Sequence, residues 1–366
     1  MADSSTHSLV PDPSCRPYAP GVRIVDARSL NGDDFGAALE LQQRLDRERD
    51  PGLPVTPAAE LRATFADNAT DHCRHQRVVA FTDDNAAAAI GHVEFNTDAA
   101  NANLAGVEIT PTDDQTAAAV LAELLRRARD DGRTSVIAWG DHTPAAHAFW
   151  TGLGAELRYT EQESRLDLAA ADPELMARWI SAGPADLELV HWSRRCPEDR
   201  IDALVATANA MNDAPTDDLE VADTVIDTAM VRAEIEARAA RGLEYHGVLA
   251  VTAGGEAAGT TEVFVNRHRP AASWQWSTVV LPAHRGRGIG RWMKAAMWQR
   301  LRAAEPEVTT LQTGNAASNA HMLAINIEMG FQPTHLMGCW QADLDTLEAG
   351  ISRRGPAGGS ATGSTR

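Results

Sequence analysis

The sequence predicts a mixed α/β (α+β) protein built from two consecutive copies of one fold, each a mainly antiparallel sheet flanked by helices. Three observations predict it. The second half alternates elements in the order β-α-α-β-β-β-α-β-α-β, and the first half repeats that order with weaker signals. The length, 366 residues, exceeds the roughly 100 to 200 residues of one domain, so an internal duplication is the economical explanation.

In the second half, LELVHWS (187–193) has strand composition, and residues 202–211 suit a helix. A second helix is expected from about Asp223 to Ala240, because Val225, Ala229, Val231, Ile235 and Ala239 recur at helical spacing. Strands at 245–251, 259–265 and 273–281 follow in hairpin order, separated by Ala253-Gly254-Gly255 and by the stretch from Asn266 to Pro270. A helix over 290–303, a strand over 308–313, and a helix over 317–329 complete the series. Gly330 caps the last helix and a final strand starts at Phe331.

The first half follows suit. A strand begins at Val22, helices fall near 33–47 and 57–67, and strands near 77–81, 89–95 and 104–109. A helix over 115–130, the strand TSVIAWG, a helix ending at 152–154 and a strand through Leu157 close the copy. The expected division is therefore a degenerate copy over 21–168, a connector with some helix over 169–184, and a functional copy over 185–347. Residues 1–20 and 348–366 read as disordered tails.

Composition narrows the function. A formal net charge of −18 argues against nucleic acid, since neutralising phosphates needs clustered Lys and Arg. No run of about 18 apolar residues occurs and the N-terminus lacks a signal-peptide pattern, so the expected setting is cytoplasmic, with no membrane partner. The four cysteines form no CxxC pair, which argues against a zinc ribbon or a disulfide framework.

The stretch HRGRGIGRWMK (284–294) carries the chemistry. A strand, a glycine-rich turn and a helix start leave unpaired N–H groups and the positive end of a helix dipole facing outward, which is a recipe for binding phosphate. Gly286, Gly288 and Gly290 allow close approach, and Arg285, Arg287 and Arg291 add charge. The P-loop pattern is absent, and Arg291 stands where the dinucleotide fingerprint requires its third glycine.

Arg285-Gly286-Arg287-Gly288-Ile289-Gly290 matches [QR]-x-x-G-x-[GA], and NAASNAHMLAINIEMGF follows it. On these motifs the chain resembles the GNAT superfamily of N-acetyltransferases, well over about 185–345 and in outline over about 20–168. The tandem arrangement resembles that of mycothiol synthase and other actinobacterial two-domain acetyltransferases. The resemblance implies that the loop holds the pyrophosphate of acetyl-CoA, with N–H groups from Arg287 through Gly288, Ile289 and Gly290 to Arg291 as the cradle. It also implies that Val280 pairs with pantetheine and that Asn319 contacts CoA, helix capping being the alternative for Asn319. Lys294, the single lysine, lies one turn beyond Gly290 and either reaches a phosphate or is solvated. Pro111 aligns with Pro282, but Thr112, Asp113, Asp114 and Gln115 replace the glycines and arginines, so the first copy is expected to be catalytically silent and to bind CoA weakly or not at all.

Acetyl transfer needs a base for the amine and a proton for the leaving thiolate. Glu262 is the candidate base, an outward-facing strand carboxylate being the alternative; His246 and His284 are fallbacks. Where the family carries a tyrosine acid, this chain has Asn326, which can hydrogen-bond but cannot serve as an acid; Trp150 matches it in the first copy. Asp213, Asp217 and Asp218, with Glu220 and Asp223, make an acidic loop that either caps a helix or steers a cationic acceptor. The expected reaction is acetylation of a primary amine on a small molecule such as an amino sugar, an aminoglycoside-like compound or a polyamine. The alternative is a non-catalytic acyl-CoA-binding or interaction protein, and the chain is expected to be a monomer or homodimer. His72-Cys73-Arg74-His75 holds possible metal ligands, but no second ligand group is spaced to complete a site, so no metal is expected.

Overall fold

A computed structural model describes residues 21–66, 70 and 73–354. The first copy contains β1 (Val22–Asp26), α1 (Gly32–Arg49), α2 (Ala58–Phe65), β2 (Cys73–Thr82), β3 (Ala87–Asn96), β4 (Leu104–Pro111), α3 (Asp114–Asp130), β5 (Ser135–Asp141), α4 (Pro144–Leu153) and β6 (Glu156–Asp167). After α5 (Pro173–Ser181) the second copy contains β7 (Leu187–Ser193), α6 (Ile201–Asn209), α7 (Thr228–Ala240), β8 (Leu243–Thr252), β9 (Ala257–Asn266) and β10 (Ser273–Val280). It continues with α8 (Ile289–Ala304), β11 (Thr310–Ala316), α9 (Ala320–Met329), β12 (Gln332–Asp343) and α10 (Leu344–Arg354).

The strands do not form two separate sheets. They form one sheet of 12 strands in the order β1-β2-β3-β4-β5-β12-β6-β11-β10-β9-β8-β7. Each copy has given its last strand to the other: β12 pairs with β5, and β6 pairs with β11. The cores follow the exchange. Trp340 of β12 and Leu344 and Leu347 of α10 are buried among Val78, Val120, Leu124 and Trp150 of the first copy. Leu166 of β6, with Leu168, Met176 and Trp179, is buried among Met293, Met297 and Phe331 of the second. The indole N–H of Trp298 donates to the Leu168 carbonyl at 3.0 Å, tying the incoming chain to α8.

This exchange corrects the division at 168 and 185, which treats each copy as a closed unit. Physically, the segment between β5 and β6 and the one between β11 and β12 cross over, so each core closes only with residues from the other half. The C-terminal boundary also moves. Residues 348–354, expected to be a tail, continue α10, because Leu347 and Gly350 are buried against the first copy; residues 1–20 and 355–366 lie outside the described residues. α7 begins at Thr228 rather than Asp223, with Asp227 accepting a hydrogen bond from the Met230 N–H as its N-cap. Residues 220–226 form no helix: Ala222 and Asn101 exchange hydrogen bonds at 2.9 Å and Gln341 accepts from the Glu220 N–H at 2.8 Å, while Thr224 and Ile226 bond back to Asn212 and Asn209.

Candidate active site

β10 and β11 run parallel but pair only at Ser273–Leu311 and Trp274–Gln312. Beyond Trp274, β10 stays with β9 and carries a bulge between Gln275 and Thr278, so it splays from β11 and leaves a gap in the middle of the sheet. α8 starts at the end of this splayed strand. Gly286 and Gly288 take φ of 76° and 77°, the left-handed region that favours glycine, and a Cβ at either would meet nothing within 4 Å.

Gly288 is the N-cap of α8 and no side chain caps the helix. The first intrahelical bond runs from the Trp292 N–H to the Gly288 carbonyl at 3.1 Å, so the N–H groups of Ile289, Gly290 and Arg291 precede it. An anion fits such a start. The cleft in front of it, about 510 Å³, is lined by Val280, Arg285, Gly286, Gly288, Ile289 and Gly290, with Arg291 and Asn319 beside them. The arginines are held in place by carboxylates: Arg285 by Asp213 at 2.9 Å, Arg287 by Asp186, and Arg291 by Glu328 at 2.8 Å. Arg285 also donates to the Val280 carbonyl at 3.1 Å. Asn319 does two things that were posed as alternatives. It caps α9 by accepting from the Met322 N–H at 3.2 Å, and it faces the cleft.

Lys294 does not reach this cleft or the solvent. It is 1% exposed in the core of the second copy, with its ammonium 5.4 Å from the Phe331 ring centroid, and burial pulls its pKa down to about 7. In the first copy the equivalent helix, α3, is closed by its own sequence: Asp113 accepts from the Thr116 N–H at 2.8 Å and from the Thr116 hydroxyl at 2.7 Å.

A larger cavity, about 730 Å³, lies on the other side of the splay and between the copies. Glu262 forms part of its wall, which decides against the outward-facing alternative. The hydroxyls of Tyr245 and Ser277 both donate to its carboxylate. Burial raises the Glu262 pKa and these two donors partly counter it. The first copy contributes Trp139, Tyr159 and Glu161; Tyr159 donates to Glu161 at 3.3 Å, and burial followed by the nearby Glu163 raises the Glu161 pKa. The remaining wall is largely apolar, with Ile226, Met230, Phe264 and Trp276 prominent.

Other expected residues fall elsewhere. Asn326 is 2% exposed and lines neither cavity. Its side-chain N–H donates to the side-chain Oδ1 of Asn315 at 2.6 Å, so it stands behind a wall residue, and its own side-chain Oδ1 has no hydrogen-bond partner. Asp213 faces the anion cleft as the partner of Arg285. Asp217 and Asp218 line neither cavity: Asp217 accepts from the Ser318 hydroxyl at 2.6 Å, and the Asp218 N–H donates to the Arg158 carbonyl. The physical reason is that the loop is spread over the first copy and turns its backbone and Pro215 inward. His246 is fully buried beside Ser193, away from both cavities, whereas His284 borders the anion cleft. Tyr245, Ser277, Tyr159 and Glu161 were missed in the sequence. Tyr245 had a local signal, strand alternation placing it on the Glu262 face of the hairpin; Ser277 reaches that face only through the β10 bulge, and the other two come from the opposite copy.

Residues 209–325, which contain both the cradle and Glu262, match the model of the acetyltransferase (GNAT) family. The chain is a tandem GNAT-fold protein, and the match to the acetyltransferase family falls in its second copy. Among solved structures it resembles a tandem GNAT protein from the clavulanic acid biosynthesis pathway, at 24% identity and a TM-score of 0.72, covering 88% of this chain and 98% of that one. It also resembles a GCN5-related N-acetyltransferase from Sphaerobacter thermophilus, at 13% identity and a TM-score of 0.58, over 88% and 96% of the two chains. No curated protein matches the chain significantly. Among the described residues, no helix is long and apolar enough to cross a membrane.

Proposed function

We propose that the chain transfers acetyl from acetyl-CoA to the amine of a small molecule, and that this amine is carried on an aromatic or aliphatic body. The observation that carries the reading is the meeting of the two cavities, which share Met211, Ala214, Pro215, Thr278, Asn319 and Met322 as wall. A donor held at the cradle and an acceptor held in the larger cavity would meet there, and holding both reactants replaces a bimolecular encounter.

An ammonium cannot attack, so the amine must lose a proton. Glu262 takes it, its basicity raised by burial and its position fixed by Tyr245 and Ser277. Asn326 supplies no acid, so the departing thiolate takes its proton from water. Glu161 and Glu262 favour a cationic amine, while Trp139, Tyr159, Phe264 and Trp276 favour an apolar body over an amino sugar or a polyamine.

Thiol release from acetyl-CoA, followed across arylalkyl amines, amino sugars and polyamines, tests the proposal. The expected result is amine-dependent release that is fastest with arylalkyl amines. Preference for sugars or polyamines would overturn the acceptor assignment. No release across the panel, from protein that binds acetyl-CoA, would establish a non-catalytic acyl-CoA-binding protein, the reading that the missing tyrosine acid favours.

A further inference from the structure

The β2–β3 hairpin of the first copy matches the β8–β9 hairpin of the second residue by residue. Both begin on an Asn partner, Cys73 with Asn96 and Leu243 with Asn266, and both shift register near the far end, after Ala80 and after Ala250. In this alignment His75 stands where Tyr245 stands and His92 where Glu262 stands. The two histidines touch as their counterparts do, His75 Nδ1 lying 3.1 Å from His92 Nε2. The first copy has therefore kept the side-chain geometry of the site while changing its chemistry.

What replaces the base is a set of metal-ligand atoms. Cys73 and His75 are two apart on β2 and project from one face; Glu94 sits directly opposite His75 on β3. One donor atom from each, a sulfur, an imidazole nitrogen and a carboxylate oxygen, lies within 4.8 Å of the other two. The sequence shows no partner for the Cys73–His75 pair because Glu94 arrives only through hairpin register. We propose that Cys73, His75 and Glu94 bind one zinc-class divalent cation, with Cys73 also bordering the acceptor cavity.

The donor set suits such an ion. Thiolate, imidazole and carboxylate are all ordinary zinc ligands, and three protein ligands leave a fourth position for water or another group. His75 Nδ1 and His92 Nε2 share one hydrogen, so His75 meets the ion as a neutral imidazole when that hydrogen sits on His92. On binding, the Cys73 thiol gives its proton to solvent. The thiolate and Glu94 then carry two negative charges against the two positive charges of the ion, so the loaded site is neutral beside Arg77 and Arg241, which act on His75. Glu108 and Glu234 add negative potential nearby.

A second cluster of similar composition shows the contrast. Glu244, His246 and Glu305 also approach one another, but Arg267 already lies between the two carboxylates, at 2.7 Å from Glu244 and 2.5 Å from Glu305. That cluster has a resident cation. Among the described residues, Cys73, His75 and Glu94 have no arginine or lysine in ion-pair contact with them.

The full chain, stripped with a chelator, is titrated with Zn²⁺ against a chromophoric competitor, and separately loaded with Co²⁺. The expected result is about one ion per chain, with a thiolate-to-cobalt charge-transfer band and intense visible bands of a tetrahedral site. Both signals should disappear in Cys73→Ala and His75→Ala, with acetyl-CoA binding and Tm near those of the parent as evidence of folding. Substoichiometric zinc with no cobalt charge-transfer band in the parent would overturn the proposal without recourse to any variant. So would zinc binding unchanged in the two folded variants, which would place the ion elsewhere.

Discussion

Asp113 and Gly288 occupy the same N-cap position in the two copies of one strand–turn–helix unit, and only Asp113 fills it with its own side chain. The aspartate puts a carboxylate where the second copy leaves N–H groups free. Gly288→Asp should therefore close the cradle. A non-glycine residue at this left-handed φ costs roughly 1–2 kcal/mol, so the variant should fold with a slightly lower Tm yet show no calorimetric binding of acetyl-CoA. Retained affinity would mean that the cradle is not the phosphate site.

Glu262→Gln should lower kcat by about 10²- to 10⁴-fold with unchanged acetyl-CoA affinity. The pH profile gives an independent readout. Burial raises the Glu262 pKa, so the acid limb of kcat/KM should lie above the ordinary carboxylate range. Tyr245 donates to the ionised carboxylate, so Tyr245→Phe should raise that pKa further and move the limb to higher pH. A limb that stays in place would separate Tyr245 from the base.

Glu161 and Trp139 belong to the first copy but line the larger cavity, the proposed acceptor site. Glu161→Gln and Trp139→Ala should raise KM for the amine and leave the acetyl-CoA Kd unchanged. Equal effects on both ligands would argue instead for a general loosening between the copies.

Lys294 gives a stability signature. Its ammonium is buried, with a pKa of about 7 against an ordinary value of 10.5. Below pH 7 both folded and unfolded chains carry the charge and the burial cost is full. Between the two values the unfolded chain binds the extra proton, so stability should rise with pH, at most about 1.4 kcal/mol per pH unit. Lys294→Met should remove this slope and stabilise the protein most at low pH, as read from urea midpoints across the range.

The exchanged strands make a simple prediction about truncation. A fragment of residues 185–366 keeps β12 but loses β6, α5 and the buried Leu166, Met176 and Trp179. It should be insoluble or unfolded. Trp340→Ala in the full chain, which empties part of the first copy's core from the second copy's strand, should cost about 3–5 kcal/mol in denaturant unfolding.

The sequence by itself determined most elements, the duplication and the cradle. Each rests on contacts within a few residues: strand alternation in β8 to β10, the helical repeat of α8, and the glycines at 286 and 288 whose φ only a residue without Cβ adopts readily. Its resemblance to the family also pointed to Glu262, a carboxylate on the strand AGTTEVFV, as the candidate base. Tertiary structure decided the rest. The acidic loop lost Asp217 and Asp218 from the site because it is spread across the first copy, which no local periodicity encodes. Lys294, expected either at a phosphate or in solvent, is a core residue beside Phe331, on a helix whose sequence does not reveal its neighbours. Tyr159 and Glu161 joined Glu262 because β6 crosses to the other copy. Glu94 came opposite His75 because hairpin register pairs residues that are distant along the chain. Strand exchange and register are choices between pairings that bury similar apolar faces, so they are settled by the energy of the whole sheet rather than by any one segment.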